Sequence, residues 1–340
     1  MSKEKAKSIS INDCSILLDK NENAFGSPLI KWYNRYPAVE PVLVKAAIAN
    51  IKALNQENIQ LGNGNHGCVD LLFRCFCEAG KDNVVVCPPA DELYKSVAQI
   101  NDVTVKQVPL LDNFQLDILH LESVTDANTK MIFIASPNGI TGNAMDRRDI
   151  ELILNNFDGL VVIDETYINF SRQKSFASEL ADYPNLVLLQ NFDIAWGLAG
   201  LGVSMLFASE EIISILQSIQ PPHPINTPTQ ELLLKALDEV GMVNDMIKEL
   251  VQMRVALKVV LIKFPFIEKV YPSDANFLLV KMTDAKMAHE FLTGKRIAVK
   301  DVSHLPQCEN CLRITIGTED ENTKLIEALV VYHDHNQQSV

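Results

Sequence analysis

Short runs of β-branched and aliphatic residues alternate along the chain with longer segments of helical spacing. Ile59–Gly62, Asn83–Val86, Val103–Val108, Met131–Ala135, Leu160–Ile163, Val187–Leu189 and Val203–Phe207 each read as a short buried strand. Val42–Leu54, Cys68–Cys77 and Ile150–Asn155 carry apolar residues at helical intervals. Strands of this kind separated by helices predict a predominantly parallel sheet between helical layers. Residues 1 to about 40 are turn-rich. Pro221, Pro222, Pro224 and Pro228 then interrupt the chain before a long helical stretch, roughly Gln230 to Lys263. Glu268–Tyr271, Asn276–Lys281 and Leu312–Ile316 read as strands and Thr323–Val331 as a last helix, a second α/β unit. The expected organisation is an N-terminal arm (1–40), a large domain (41–228), a linking helical region (229–262) and a small C-terminal domain (263–340). The sequence contains no internal repeat and no low-complexity segment.

Composition narrows the function classes. With 340 residues, 47% hydrophobic and 21% charged, the chain suits a soluble globular protein. A net charge of −13 argues against a nucleic-acid or anionic-membrane partner. No apolar run is long enough to predict a membrane span, and Met1–Lys7 leads into no apolar signal core. Seven scattered cysteines read as reduced thiols, which predicts a cytoplasmic protein. Cys308-Glu309-Asn310-Cys311 lacks a second ligand pair, so core cysteines are expected there and no metal site.

One loop is organised for chemistry yet lacks the usual tools. Between the expected strands at Val187 and Val203 lies Gln190-Asn191-Phe192-Asp193-Ile194-Ala195-Trp196-Gly197-Leu198-Ala199-Gly200-Leu201-Gly202. Loops leaving the carboxyl ends of parallel strands build ligand sites. From Phe192 to Gly202 there is no Lys, Arg, His, Ser or Cys, and Asp193 is the single ionisable side chain.

Eight motifs give that loop a context: Asn21-Glu22-Asn23, Asn34-Arg35-Tyr36-Pro37, Gly62-Asn63-Gly64, Ser136-Pro137-Asn138, Thr141-Gly142, Asp164-Glu165-Thr166-Tyr167, Gly197-Leu198-Ala199-Gly200 and Cys311-Leu312-Arg313-Ile314-Thr315-Ile316-Gly317. In this order they resemble the histidinol-phosphate aminotransferases, over residues 16 to 331 or so. The resemblance implies fold type I of the pyridoxal-phosphate enzymes: a large domain with a mostly parallel central sheet between helices, and a small α/β C-terminal domain. It also implies a homodimer with sites at the subunit interface and amino transfer between histidinol phosphate and 2-oxoglutarate.

Carried over residue by residue, the resemblance implies a depleted site. The family's Thr-Phe-Ser-Lys-Ala-x-Gly-Leu-Ala-Gly-Leu-Arg puts Ile194 at the Schiff-base lysine, Asp193 at the preceding serine and Gly202 at the phosphate arginine. Gly139 stands where an asparagine meets the cofactor ring hydroxyl, and Asp91 where an aromatic stacks on the ring. Gly64, Asn65 and His66 stand at the helix start that cups the phosphate. The positions that survive are Asp164, facing the pyridine nitrogen, and Tyr167, facing the ring oxygen. Asn23, Tyr36 and Arg313 match substrate-holding positions, with Tyr36 reaching the neighbouring subunit; Lys300 lies near a second family arginine. An isoleucine neither bonds an aldehyde nor shuttles a proton. The expectation is therefore an inactive or severely impaired homologue, with covalent pyridoxal phosphate not expected and noncovalent binding weak or absent. Two alternatives stand beside it: a working aminotransferase with an atypical site, and a non-enzymatic binding module in which Asp91, Asp164 and Asp193 converge near His66.

Overall fold

The computed structural model describes residues 20–29, 33–37 and 40–337; the expected N-terminal arm lies partly outside them. In chain order the elements of the first unit are α1 (Val42–Lys52), β1 (Ile59–Asn63), α2 (Gly64–Phe76), β2 (Asn83–Val86), α3 (Leu93–Ile100), β3 (Thr104–Gln107), α4 (Ile118–Val124), β4 (Thr129–Ala135), α5 (Arg147–Asn156), β5 (Leu160–Asp164), β6 (Leu186–Asn191), β7 (Val203–Ala208) and α6 (Glu210–Ile219). Two helices follow, α7 (Thr227–Leu237) and α8 (Val240–Leu261). The last elements are β8 (Ile267–Val270), β9 (Phe277–Met282), α9 (Ala285–Gly294), β10 (Lys300–Asp301), β11 (Cys311–Thr315) and α10 (Glu319–Gln337).

The seven strands β1 to β7 form one sheet in the order β1-β7-β6-β5-β4-β2-β3, and β8 to β11 form a second, β10-β11-β9-β8. The neighbours from β3 to β6 are parallel, β7 runs antiparallel to β6, and β1 antiparallel to β7. The parallel strands read as continuous apolar runs because both faces are covered. Side chains of alternate residues divide between two cores. Val161, Ile163, Leu186 and Leu188 join the cluster under α1 and α5, whereas Val162, Val187 and Leu189 join the one under α2 and α3. Met131, Ile132 and Ile134 are no more than 1% exposed, and burying each such side chain contributes about 1.5–3 kcal/mol.

The structure refines the expected elements in three places. The long helical stretch is two helices, broken at Asp238 and Glu239, where Asp238 and nearby Gly241 are poor helix formers. Helix α2 starts at Gly64, not Cys68, because Gly64 turns the chain out of β1 at φ +67°. Helices α3, α4, α6 and α9 and the two-residue strand β10 were not expected. Three of these helices carry side-chain caps: Asp117 accepts from His120 N, Ser209 from Ile212 N and Asp284 from Met287 N.

Candidate active site

At the carboxyl end of β5, Asp164 receives a hydrogen bond from Tyr94 Oη on Oδ2 (2.6 Å) and from Thr166 N on Oδ1 (2.9 Å). Burial pushes its carboxyl above the ordinary range; the Thr166 and Tyr94 hydrogen bonds pull the other way, and Asp91 adds a small upward push. Tyr94 is 2% exposed, and its phenol is held well above its usual range by burial and then by Asp164. The sequence analysis assigns Tyr94 no role at the site. Its place on α3 opposite a strand-end carboxylate becomes visible once β5 and α3 are packed.

The start of α2 is tied to three strand ends by amides and hydroxyls. Asn65 Nδ2 donates to Thr166 Oγ1 (3.3 Å), while Asn65 Oδ1 accepts from Ser204 Oγ (2.7 Å) and Asn191 Nδ2 (3.2 Å). Asn191 Nδ2 also reaches Thr166 Oγ1 (3.3 Å). His66 is exposed at the helix entry. This network therefore holds together strands, helix and turn through groups that satisfy one another.

The central loop is shaped by its backbone and its aromatic residues. Phe192 N donates to Val203 O (3.1 Å), Leu198 N to Phe192 O (3.0 Å) and Leu201 N to Leu198 O (2.8 Å). Phe192 and Trp196 pack edge to face at 5.3 Å. Ile194 is half-buried against the α1-side core. Gly202 adopts the left-handed conformation (φ +60°, ψ +44°), and a Cβ there would lie 3.6 Å from Asn63 Oδ1. Asp193 N donates to Asn191 Oδ1 (3.2 Å), but its own Oδ1 is buried with no hydrogen-bond partner. Burial alone raises the Asp193 carboxyl above its usual range.

The small sheet closes on the opposite side. Arg313 Nη1 donates to Gly139 O (2.5 Å), and its guanidinium sits 5.3 Å from the Phe277 ring centroid. Phe277 meets Tyr167 edge to face at 5.4 Å. A Cβ on Gly139 would lie 3.3 Å from Tyr167 Cε2, so the glycine allows the phenol to come close. Asn138 is spent locally: its side chain accepts from Ile140 N and Thr141 N and donates to Pro89 O. Asp91 is exposed and accepts from Leu93 N (2.9 Å). Tyr36 is 60% exposed and stacks on His223 at 5.5 Å, and Asn23 Oδ1 accepts from Phe25 N (3.0 Å).

The residues expected at the site thus fall into groups. Asp164, Tyr167, Gly139 and Arg313 come together. Asn65 joins Asp164 through Thr166. Asn23 makes its contacts on the exposed arm, and Tyr36 stacks on His223 in the segment between α6 and α7. Of the expected acidic trio, Asp91 acts electrostatically on Asp164, while Asp193 shows burial as its one perturbing influence. Among the described residues no His, Cys, Asp and Glu group is arranged to hold a metal ion. Lys300 pairs with Arg313 across the β10–β11 register.

A second polar cluster lies on the other sheet face, and sequence reasoning missed it. Glu165 Oε2 accepts from Ser175 Oγ (2.5 Å) and Gln190 Nε2 (2.8 Å), and Oε1 from Phe176 N (2.8 Å). Gln190 Oε1 in turn accepts from Lys52 Nζ (2.7 Å). Burial raises the Glu165 pKa and lowers that of Lys52.

The profile of the family described as aminotransferase class I and II matches residues 29–329. The chain belongs to that family. Within it, the chain is 43% identical over 317 residues to histidinol-phosphate aminotransferase of Cytophaga hutchinsonii, covering 93% of this chain and 91% of that protein. It is 44% identical over 314 residues to the enzyme of the same name from Flavobacterium psychrophilum, covering 92% and 89%. Among solved aminotransferase structures, the histidinol-phosphate aminotransferase from Clostridium acetobutylicum superposes with a TM-score of 0.82 at 21% identity, covering 89% of this chain and 92% of that one. The Sinorhizobium meliloti enzyme, solved in complex with pyridoxal-5'-phosphate, gives 0.81 at 20% identity, covering 93% and 90%. At these identities the structural likeness shows the fold, which is the fold type I aminotransferase architecture expected from the motifs. No helix among the described residues is long and apolar enough to cross a membrane.

Proposed function

We propose that this chain is a histidinol-phosphate aminotransferase homologue that no longer performs lysine-dependent transamination. The observation that carries the reading is the loop pair Asp193 and Ile194. Ile194 packs its aliphatic side chain against the core, at the position that the motif resemblance implies for the covalent anchor. Beside it stands a carboxylate oxygen that is buried without a donor.

The residues present do not fit pyridoxal phosphate as a whole. Asp164 and Tyr167 suit the ring, since a carboxylate at a strand end can face a protonated pyridine nitrogen. The remainder does not suit the group. Ile194 offers no amine, and Gly202 offers no guanidinium to a phosphate. Asp193 would oppose a phosphate dianion with its own charge, more strongly where solvent is excluded. The Asn65 amide is already committed to Thr166 and its carbonyl to Asn191 and Ser204.

The protein is proposed to be a homodimer, supported by the large apolar side chains exposed on the arm and α1: Phe25 (97%), Leu29 (63%) and Leu43 (73%). A cytoplasmic location is supported by free cysteines at every described cysteine position.

The test compares the unaltered chain with the triple substitution Asp193→Ser, Ile194→Lys, Gly202→Arg. Each is titrated with pyridoxal phosphate and assayed with histidinol phosphate and 2-oxoglutarate. The unaltered chain is expected to show no imine absorbance and no turnover, and the triple variant to acquire the absorbance. Ordinary turnover by the unaltered chain sinks the proposal.

A further inference from the structure

Helix α8 carries a seam that its own fold does not fully cover. Met242, Met246, Glu249, Met253, Ala256 and Val260 follow one another at alternating intervals of four and three residues. That is the spacing with which one helix presents knobs to another. Met242 is 58% and Met246 40% exposed. Beside the seam run two adjoining grooves between α8 and α10. One, about 770 Å³, lies between Met246, Leu250 and Met253 and the 317–323 segment. The other, about 320 Å³, continues between Ala256, Val260 and Ile326.

The rim of these grooves is acidic. Glu249 lies on the seam itself, and Glu319, Asp320 and Glu321 fill the first turn of α10. Their three carboxylates outweigh the partial positive charge of about half a unit at a helix start. Lys324 pairs with Asp320, and Lys248 with Asp245 at 2.9 Å, so the rim carboxylates outside these ion pairs are Glu249 and Glu319. Glu321 accepts from Thr318 N and Oγ1, both at 2.8 Å.

We propose that this groove docks one amphipathic helix of another protein. Its apolar face meets the methionine seam, and Lys or Arg residues along its edge meet Glu249 and Glu319. Methionine side chains adapt to varied apolar partners, and a helix laid in a groove is anchored through this spacing. Charge decides the occupant. A second copy of the same face would set acidic rim against acidic rim in a chain of net charge −13, which like-charge repulsion disfavours. A basic helix gains from the same rim. The site stands apart from the Gln190–Gly202 loop and does not depend on what that loop does.

The probe is a synthetic helix of about three heptads, with Leu at the 3–4 positions and Lys on both flanks. Its twin carries Glu on the flanks. Binding to the full chain is followed by fluorescence anisotropy at low and high salt. The Lys helix is expected to saturate and to bind at least tenfold tighter than the Glu twin. Met246→Glu is expected to weaken it at least tenfold even though the substitution adds negative charge. If that variant does not melt like the unaltered chain, Met242→Glu, further out on the seam, takes its place. Equal binding of both helices, or Lys-helix binding untouched by the seam substitution, overturns the proposal by reducing it to bulk charge. Self-association of the unaltered chain that the seam substitution abolishes also overturns it, by making the occupant a second copy.

Discussion

Two polar clusters flank the carboxyl edge of the same sheet, and they differ in completeness. On the α1 face, Glu165 holds three donors and passes through Gln190 to Lys52. On the loop between β6 and β7, Asp193 keeps a buried oxygen with none. A buried polar network rigidifies when every member is satisfied and becomes a liability when one is not. The first cluster has the form of a structural element. The second leaves a buried carboxylate oxygen unsatisfied, which is the feature the proposed loss of lysine-dependent chemistry rests on. The core around both is continuous and well buried.

The most damaging way to break the comparison is Glu165→Ala. It would leave the Lys52 amine without its balancing charge and the Ser175, Phe176 and Gln190 donors without their acceptor. A loss of about 3–5 kcal/mol is expected, read from urea unfolding. A loss below 1 kcal/mol would mean that the cluster is not structural. Next comes Ile194→Lys alone, which sets an amine against the aliphatic surroundings that now hold the isoleucine. About 1–3 kcal/mol of destabilisation is expected, with no gain in activity because the phosphate end remains uncorrected. Gly202→Arg is smaller. The left-handed conformation at residue 202 penalises any side chain by about 1 kcal/mol, visible as a lower denaturant midpoint.

The smallest effect has the opposite sign. The Asp193 carboxyl is raised in the folded state, so folding binds its proton more tightly. Its contribution to stability is fully present below the unfolded carboxylate pKa of about 3.9 and is lost as pH rises through the higher folded value. Asp193→Asn should therefore stabilise the protein at neutral pH and change little below that acid range. Solvent screens this part-exposed group, so the gain stays under about 1 kcal/mol. Melting curves at the two pH extremes read the difference. A neutral-pH loss would mean that Asp193 has a partner the structure does not contain.

The sheet was legible because both its faces are covered: Met131–Ala135 and Leu160–Ile163 are unbroken apolar runs that polar positions do not interrupt. The antiparallel turn of β7 was not, since an apolar run carries no sign of direction. Helices α6 and α9 were overlooked although Ser209 before Glu210 and Glu211, and Asp284 before Ala285, are recognisable cap signals. At the site, Asp164, Tyr167 and Arg313 were legible only through motif order. The Lys52–Gln190–Glu165 cluster was not, because its members lie 138 and 25 residues apart and meet only once α1, β6 and the segment after β5 pack together. The seam on α8 was present in the sequence as 3–4 spacing, but its exposure depends on how far α10 covers it.

The most direct measurement of the central claim is peptide mapping after pyridoxal phosphate and borohydride treatment, which fixes any imine as a stable amine. The unaltered chain is expected to carry no pyridoxyl label in the segment from Asn191 to Gly202, and the Asp193→Ser, Ile194→Lys, Gly202→Arg variant to carry it at residue 194. A stoichiometric label on another lysine of the unaltered chain, accompanied by turnover of histidinol phosphate, would contradict the account.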